Sequence, residues 1–220
     1  HRPATGECIL AFRGTETAED DAANRNVTVD VHHWGDRCVH VGIHRGLRAL
    51  LNTFLVDALS APEFRNALRS AAPRIVTVIG YSLGVLVAAA LTVLLRNEGL
   101  AAVIGIDANK IATLRDDIQG ANLHCVAYAA PPSFRFVYHD PTPTHRQLDL
   151  CNIISVIKEG DVVPLLTLAN ISEVIGNPFV PTAKTLLPVG DVLLVRDEDW
   201  RGRDRHWLET NLSLIHISEP

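Results

Sequence analysis

The chain has 220 residues, 47% hydrophobic and 20% charged, enough for one sizeable α/β core and short for two domains. Its net charge of -5 and pI near 6.0, with arginines scattered along the chain, exclude the basic footprint of a nucleic-acid binder. The four cysteines, Cys8, Cys38, Cys125 and Cys151, lie far apart without Cys-x-x-Cys spacing, which argues against a zinc site or a dense disulfide framework.

Cys8 and Cys125 sit inside apolar runs and read as core residues, while one disulfide bridge and the redox compartment stay open. No apolar run approaches the roughly 20 residues that span a bilayer, and no signal peptide is visible. The chain opens on His1-Arg2-Pro3 and runs almost at once into a strand, so an upstream segment is expected to be missing. At the other end, residues 212–220 resemble a translated sequencing adapter and are set aside from fold reasoning, His216 with them. A single domain over residues 1–211 is the expectation.

In chain order, Glu7-Cys8-Ile9-Leu10-Ala11-Phe12 reads as a buried strand from which Arg13-Gly14-Thr15-Glu16-Thr17 turns away. A glycine after a strand, then a hydroxyl residue, suits a loop that approaches a ligand with its backbone, and Thr15 has both an amide and a hydroxyl to donate. An ordinary polar turn has the same look. Asp20, Asp21 and Asn24 read as loop residues, and Val27 to Val31 as an edge strand. His44 before Arg45-Gly46 reads as structural. From Leu47 to Leu59 apolar residues recur at three- and four-residue spacing, an amphipathic helix on the sheet. A second helical piece from Glu63 to Ala71 ends at Pro73.

The stretch Ile75 to Ala90 is the most informative. A β-branched strand leads into Gly80-Tyr81-Ser82-Leu83-Gly84 and then an Ala/Leu-rich helix, the pattern of a nucleophile elbow. Leaving a strand and entering a helix within one residue forces Ser82 into a strained backbone, and Gly80 and Gly84 lack the Cβ atoms that would block the bend. The Leu83 amide and the helix start would lie beside the hydroxyl, where negative charge develops. The plain alternative is an ordinary strand-to-helix turn.

The helix is expected to stop near Asn97 and Gly99. Residues 100–121 read as a loop and short helix whose carboxylates face solvent. Leu123 to Ala129 is the next strand, closed by Ala130-Pro131-Pro132; His139 and His145 lie in the Pro/Thr-rich loop beyond it. Asn152 to Ile157 is another buried strand, followed by Gly160-Asp161-Val162-Val163-Pro164. An aspartate just past a parallel strand suits the acid of a catalytic triad, although a turn aspartate bonding its own backbone has the same sequence. A helix from Leu165 to Ile175, a Pro-rich connection and a final strand ending at Val195 follow, and His206 is the last histidine before the suspect tail. Strands and helices alternate, which implies an α/β fold, a mainly parallel sheet with helices on both faces and its site at the carboxyl strand ends. Ser82, Asp161 and His206 then stand in the order expected of an α/β-hydrolase.

Ile9 to Thr15, His44 to Leu47, Gly80 to Gly84, Tyr128 to Pro132 and Gly160 to Pro164 together resemble the class 3, or fungal-type, lipases. The Ala-Pro-Pro and Asp-Val-Val-Pro pieces are most similar to the sn-1-specific diacylglycerol lipase branch. Tyr81 and Val85 depart from the family pattern, which has His and a small residue there. The resemblance implies an α/β-hydrolase fold, Ser82 as nucleophile, Asp161 as acid, His206 as base, and Thr15 with the Leu83 amide as oxyanion hole. It implies hydrolysis of an acylglycerol or phospholipid ester at a membrane or lipid-droplet surface, with no cofactor or metal and no nucleic-acid partner. A lipase-like binding module without catalysis and an acyltransferase using the same serine are the alternatives.

Overall fold

The computed structural model describes residues 6–18, 20, 22, 29–34, 39–129, 134–138, 149–150, 152–158, 191–195 and 214–215. Structural statements below concern these. The strands are β1 (Glu7–Phe12), β2 (Val29–Trp34), β3 (Val39–His44), β4 (Ile75–Tyr81), β5 (Asn122–Tyr128), β6 (Phe134–Tyr138), β7 (Ile153–Lys158), β8 (Asp191–Val195) and β9 (Leu214–Ile215). The helices are α1 (Arg45–Phe54), which continues as a π-helical turn over Leu55–Leu59, then α2 (Pro62–Ala71), α3 (Leu83–Arg96), α4 (Leu100–Val103) and α5 (Ala108–Asp117).

The main sheet has six strands in the order β1-β4-β5-β7-β8-β9. Its first five are parallel, and only β9 runs antiparallel, with Val192 opposite Ile215. Residues set aside on sequence grounds thus pair with the sheet edge. Each step from β1 to β8 moves the same way across the sheet, so right-handed crossovers place their helices on one face. The burial pattern agrees: Val76 and Val78 of β4, Leu123 and Cys125 of β5 and Ile153 of β7 share one core with Leu47, Leu51, Leu68, Leu91, Leu94 and Ile111 of the helices. A mainly parallel sheet with packed helices is the architecture expected from the sequence. The opposite face carries Ile79, Val126 and the partly exposed Ile154.

The central helix is α3. Every residue from Leu83 to Leu95 is buried, which explains why its sequence is apolar all round rather than striped: the sheet lies on one side and α1 and α5 on the other. Each fully buried Leu or Val there contributes roughly 1.5–3 kcal/mol relative to exposure. At its end the buried Asn97 closes the helix, its Nδ2 donating to the Val93 and Asp149 carbonyls while its Oδ1 accepts from the Asp149 amide. That ties α3 to the chain entering β7. Arg96 adds a contact to Asp149 at 2.9 Å and donates to the Leu123 carbonyl.

A second sheet, antiparallel and three-stranded in the order β2-β3-β6, was not foreseen as such. The expected edge strand at 27–31 is placed at Val29–Trp34, and β6 lies in the stretch after Pro132, where no strand was expected. The sheet is tied to α1 by Asp30, whose carboxylate meets Arg45 at 2.7 Å and Arg48 at 3.1 Å. Arg45, part of the motif noted in the sequence, is therefore structural. The carboxylates at 107–117 were expected to face solvent. Asp107 is exposed as expected and also caps α5 by accepting from the Asn109 and Lys110 amides, whereas the Asp117 side chain is almost fully buried against Arg65.

Candidate active site

β4 ends at Tyr81 and α3 begins at Leu83, so Ser82 alone makes the reversal. Its backbone, at φ 52° and ψ -122°, lies where L-residues rarely go. The strand neighbours hold it there. The Ser82 amide donates to the Tyr128 carbonyl at the end of β5 at 3.1 Å, and its own carbonyl accepts from the Val85 amide at 2.9 Å. The Ser82 side chain does not cap α3. It is left at the carboxyl edge of the sheet beside the helix start, whose first amides lie outside the helical ladder.

Both elbow glycines are required by contact. A Cβ on Gly80 would sit 2.5 Å from the Gly84 carbonyl oxygen and 2.6 Å from the Val85 Cα. On Gly84 it would meet the Phe12 and Arg13 carbonyl oxygens at 2.3 Å. The first turn of α3 thus rests directly on the end of β1. Val85, which adds bulk under the elbow, is accommodated by packing on Ala127 of β5.

The same contact brings the turn after β1 to the serine. A Cβ on Gly14 would lie 3.5 Å from the Ser82 Cβ and 3.3 Å from the Tyr81 carbonyl oxygen. Thr15, next in the chain, is exposed. Behind this turn a cavity of about 220 Å³ is lined by Phe12, Arg13, Asp20, Leu50, Leu83 and Val87, among others. Tyr81, 63% exposed, and Tyr128, 45% exposed, stand side by side at the ends of adjacent strands. The Tyr81 ring also reaches to 3.4 Å from the Cβ position of Gly14, so it borders the same turn.

One group at this turn was passed over in the sequence. Asp20, read as a loop residue, accepts from the Glu16 and Thr17 amides at 3.0 Å each and from Arg13 Nη1 at 2.9 Å. Its own amide donates to Thr17 Oγ1 at 3.1 Å. The reciprocal pair is a capping box, and Thr-x-x-Asp is the signal that announces it. Amide donors and Arg13 hold the Asp20 carboxyl at about 2, below its ordinary 3.8.

Ser82, Leu83, Gly80 and Gly84 are therefore gathered with the Gly14 turn, and Thr15 follows Gly14 in the chain. Asp161 and His206 lie outside the described residues. The strands that precede them in the chain, β7 and β8, are parallel to β4 and end at the same edge. Cys8 and Cys125 are free thiols, and burial raises the Cys125 thiol to about 11. Among the described residues no three His, Cys, Asp or Glu side chains are grouped as metal ligands would be, and no helix is long and apolar enough to cross a membrane.

Residues 9–171 match the family described as Lipase (class 3). The chain belongs to the class 3 lipase family. Among solved structures it is similar to the triacylglyceride lipase of Rhizomucor miehei, with a TM-score of 0.52 and 15% identity over 89% of this chain and 59% of that one. The lipase of Rhizopus microsporus var. chinensis gives 0.52 and 16% over 87% and 54%. A mutant of MDLA from Penicillium cyclopium gives 0.54 and 15% over 96% and 61%. These likenesses establish the α/β-hydrolase fold for this class 3 lipase family member. The chain spans between 54% and 61% of the length of these three structures. No curated protein sequence matches it.

Proposed function

We propose that this chain is the catalytic part of a serine hydrolase that cleaves carboxylic esters of di- or triacylglycerols through an acyl-enzyme. The observation that carries the reading is Ser82 itself: a non-glycine residue at φ 52°, between two glycines that admit no Cβ, with the Gly14 turn packed against it. Such strain persists only where the surroundings impose it, and it clusters at sites of function. Membership of the class 3 lipases supports the choice of an ester as substrate.

In this reading Ser82 Oγ attacks the ester carbonyl and His206 takes its proton. Asp161 orients the imidazole and stabilises its charged form, and the Thr15 and Leu83 amides hold the tetrahedral oxyanion. His206 then protonates the departing alcohol, and water releases the acid by the reverse proton path. The common edge shared by β4, β7 and β8 supports the placement of Asp161 and His206, each of which follows one of these strands in the chain. The sequence pieces Ala130-Pro131-Pro132 and Asp161-Val162-Val163-Pro164 favour the sn-1-specific diacylglycerol branch, working at a membrane or lipid-droplet surface. The catalytic unit is residues 1–211.

Ser82→Ala tests the reading. Hydrolysis of a p-nitrophenyl acyl ester falls by at least about 10³-fold while the melting transition persists, as expected when the nucleophile of an acyl-enzyme is removed. A variant as active as the parent would refute the assignment. Product analysis with glycerol as acceptor separates hydrolysis from acyl transfer.

A further inference from the structure

The oxyanion donors of a hydrolase work because they are fixed before charge develops. In the turn that carries Thr15, Gly14 rests against Tyr81 and Ser82, while the side chains of Arg13, Thr15, Glu16 and Thr17 are exposed. Beside the Arg13–Glu16 ion pair at 3.1 Å, one carboxylate gathers most of the turn's polar contacts. Asp20 binds the chain on both sides of Thr15: the Glu16 and Thr17 amides beyond it and, through the guanidinium, Arg13 before it. Arg13 Nη1 also donates to the Gly14 carbonyl at 2.9 Å. In a trans peptide the N–H points opposite to the C=O, so anchoring the Gly14 carbonyl on Arg13 turns the Thr15 N–H the other way. The Thr17 hydroxyl, apart from the clamp, accepts from the Asp20 amide and caps the helical residues that follow.

We propose that Asp20 is a positioning residue for the oxyanion hole, its carboxylate setting the direction of the Thr15 donors through Arg13, Glu16 and Thr17. It touches no substrate and acts only through the turn. The proposal rests on the serine hydrolase reading above and adds to it a residue whose carboxylate, among the described residues, bonds to Arg13, Glu16 and Thr17 of that turn.

The test measures kcat and KM on p-nitrophenyl butyrate for the parent, S82A, D20A, D20N and T17A, with thermal melts of each. Misdirecting one oxyanion donor costs up to about 10²–10³ in kcat, so D20A is expected to lose about 10- to 100-fold in kcat with KM changed by less than about threefold. D20N keeps an acceptor oxygen for the two amides and should recover most of that loss. T17A removes the helix cap but leaves the carboxylate on the Glu16 and Thr17 amides, so it should lower the melting temperature while kcat stays within about threefold of the parent. A folded D20A with the parent's kcat overturns the proposal, as does T17A losing as much kcat as D20A, which would mean that only helix stability was at stake. In either case an inactive S82A leaves the hydrolase reading standing. An S82A as active as the parent overturns both.

Discussion

The two halves of the candidate site are held by different physics. At the elbow the backbone is fixed by exclusion of volume: Gly80 and Gly84 are pressed against neighbouring main chain, and α3 is buried along its whole length. At the turn after β1, the proposed oxyanion turn, exposed polar groups are instead held largely by hydrogen bonds to the Asp20 carboxylate. The first arrangement has no soluble substitute and tolerates no added atom. The second can be titrated, or dissolved by one substitution, without disturbing the core. The strained Ser82 backbone needs the rigid half, and the proposed donor turn can be built on the adjustable one.

The largest effect expected of this contrast lies in the glycines. Gly84→Ala forces a Cβ against two backbone carbonyl oxygens at 2.3 Å and should cost about 3 kcal/mol or more, with α3 pushed off β1. Gly80→Ala, against the Gly84 carbonyl at 2.5 Å, should cost about 2–3 kcal/mol. Denaturant melts of both variants measure this, and a loss under about 0.5 kcal/mol, the range of an ordinary surface change, would show that the elbow is not sterically locked. A smaller effect, of opposite sign, sharpens the same point. Ser82→Gly relieves the positive φ and should melt above Ser82→Ala by up to about 1 kcal/mol, although both lack the hydroxyl. Equal melting of the two would remove the claim of strain.

The smallest effect concerns acid. The folded-state pKa of Asp20, about 2, is depressed from the ordinary 3.8, so its contribution to stability is fully present above about pH 4 and disappears as pH falls through about 2. Glu16 pairs with Arg13 at 3.1 Å in the same turn. Between pH 5 and pH 2 the parent should therefore lose more melting temperature than Asp20→Asn, by a degree or two, about the scale of a weak exposed interaction. An equal loss in both would separate Asp20 from the acid response. The elbow glycines, carrying no titratable group, predict no such dependence.

The same contrast governs what the sequence could disclose. Steric demands leave a signature, because only glycine meets them, and Gly80-Tyr81-Ser82-Leu83-Gly84 between a β-branched run and an Ala/Leu run was legible as strand, bend and helix. The parallel strands β1, β4, β5, β7 and β8 were legible for a related reason: strands buried in a parallel sheet are continuous apolar runs. Hydrogen-bonded devices are harder to read. Thr17-x-x-Asp20 consists of common loop residues, and only the reciprocal bonds distinguish a clamp from a polar turn. The antiparallel sheet β2-β3-β6 was hidden because its strands are short and β6 pairs with β3 across a long sequence separation, Ile43 opposite Phe134 and Val39 opposite Tyr138. Asp107 and Asp117 looked alike in sequence, yet one caps a helix and the other is buried on Arg65, a difference set by where α5 packs.

The claim on which the rest depends is that Ser82 is an activated nucleophile. Intact-mass and peptide mass spectrometry after brief exposure to a fluorophosphonate addresses it directly, because only a serine with a working base and oxyanion hole reacts at micromolar reagent. One adduct per chain, on the peptide carrying Ser82 and absent from Ser82→Ala, is the predicted result. An unlabelled parent, or an adduct that persists in Ser82→Ala, would contradict it.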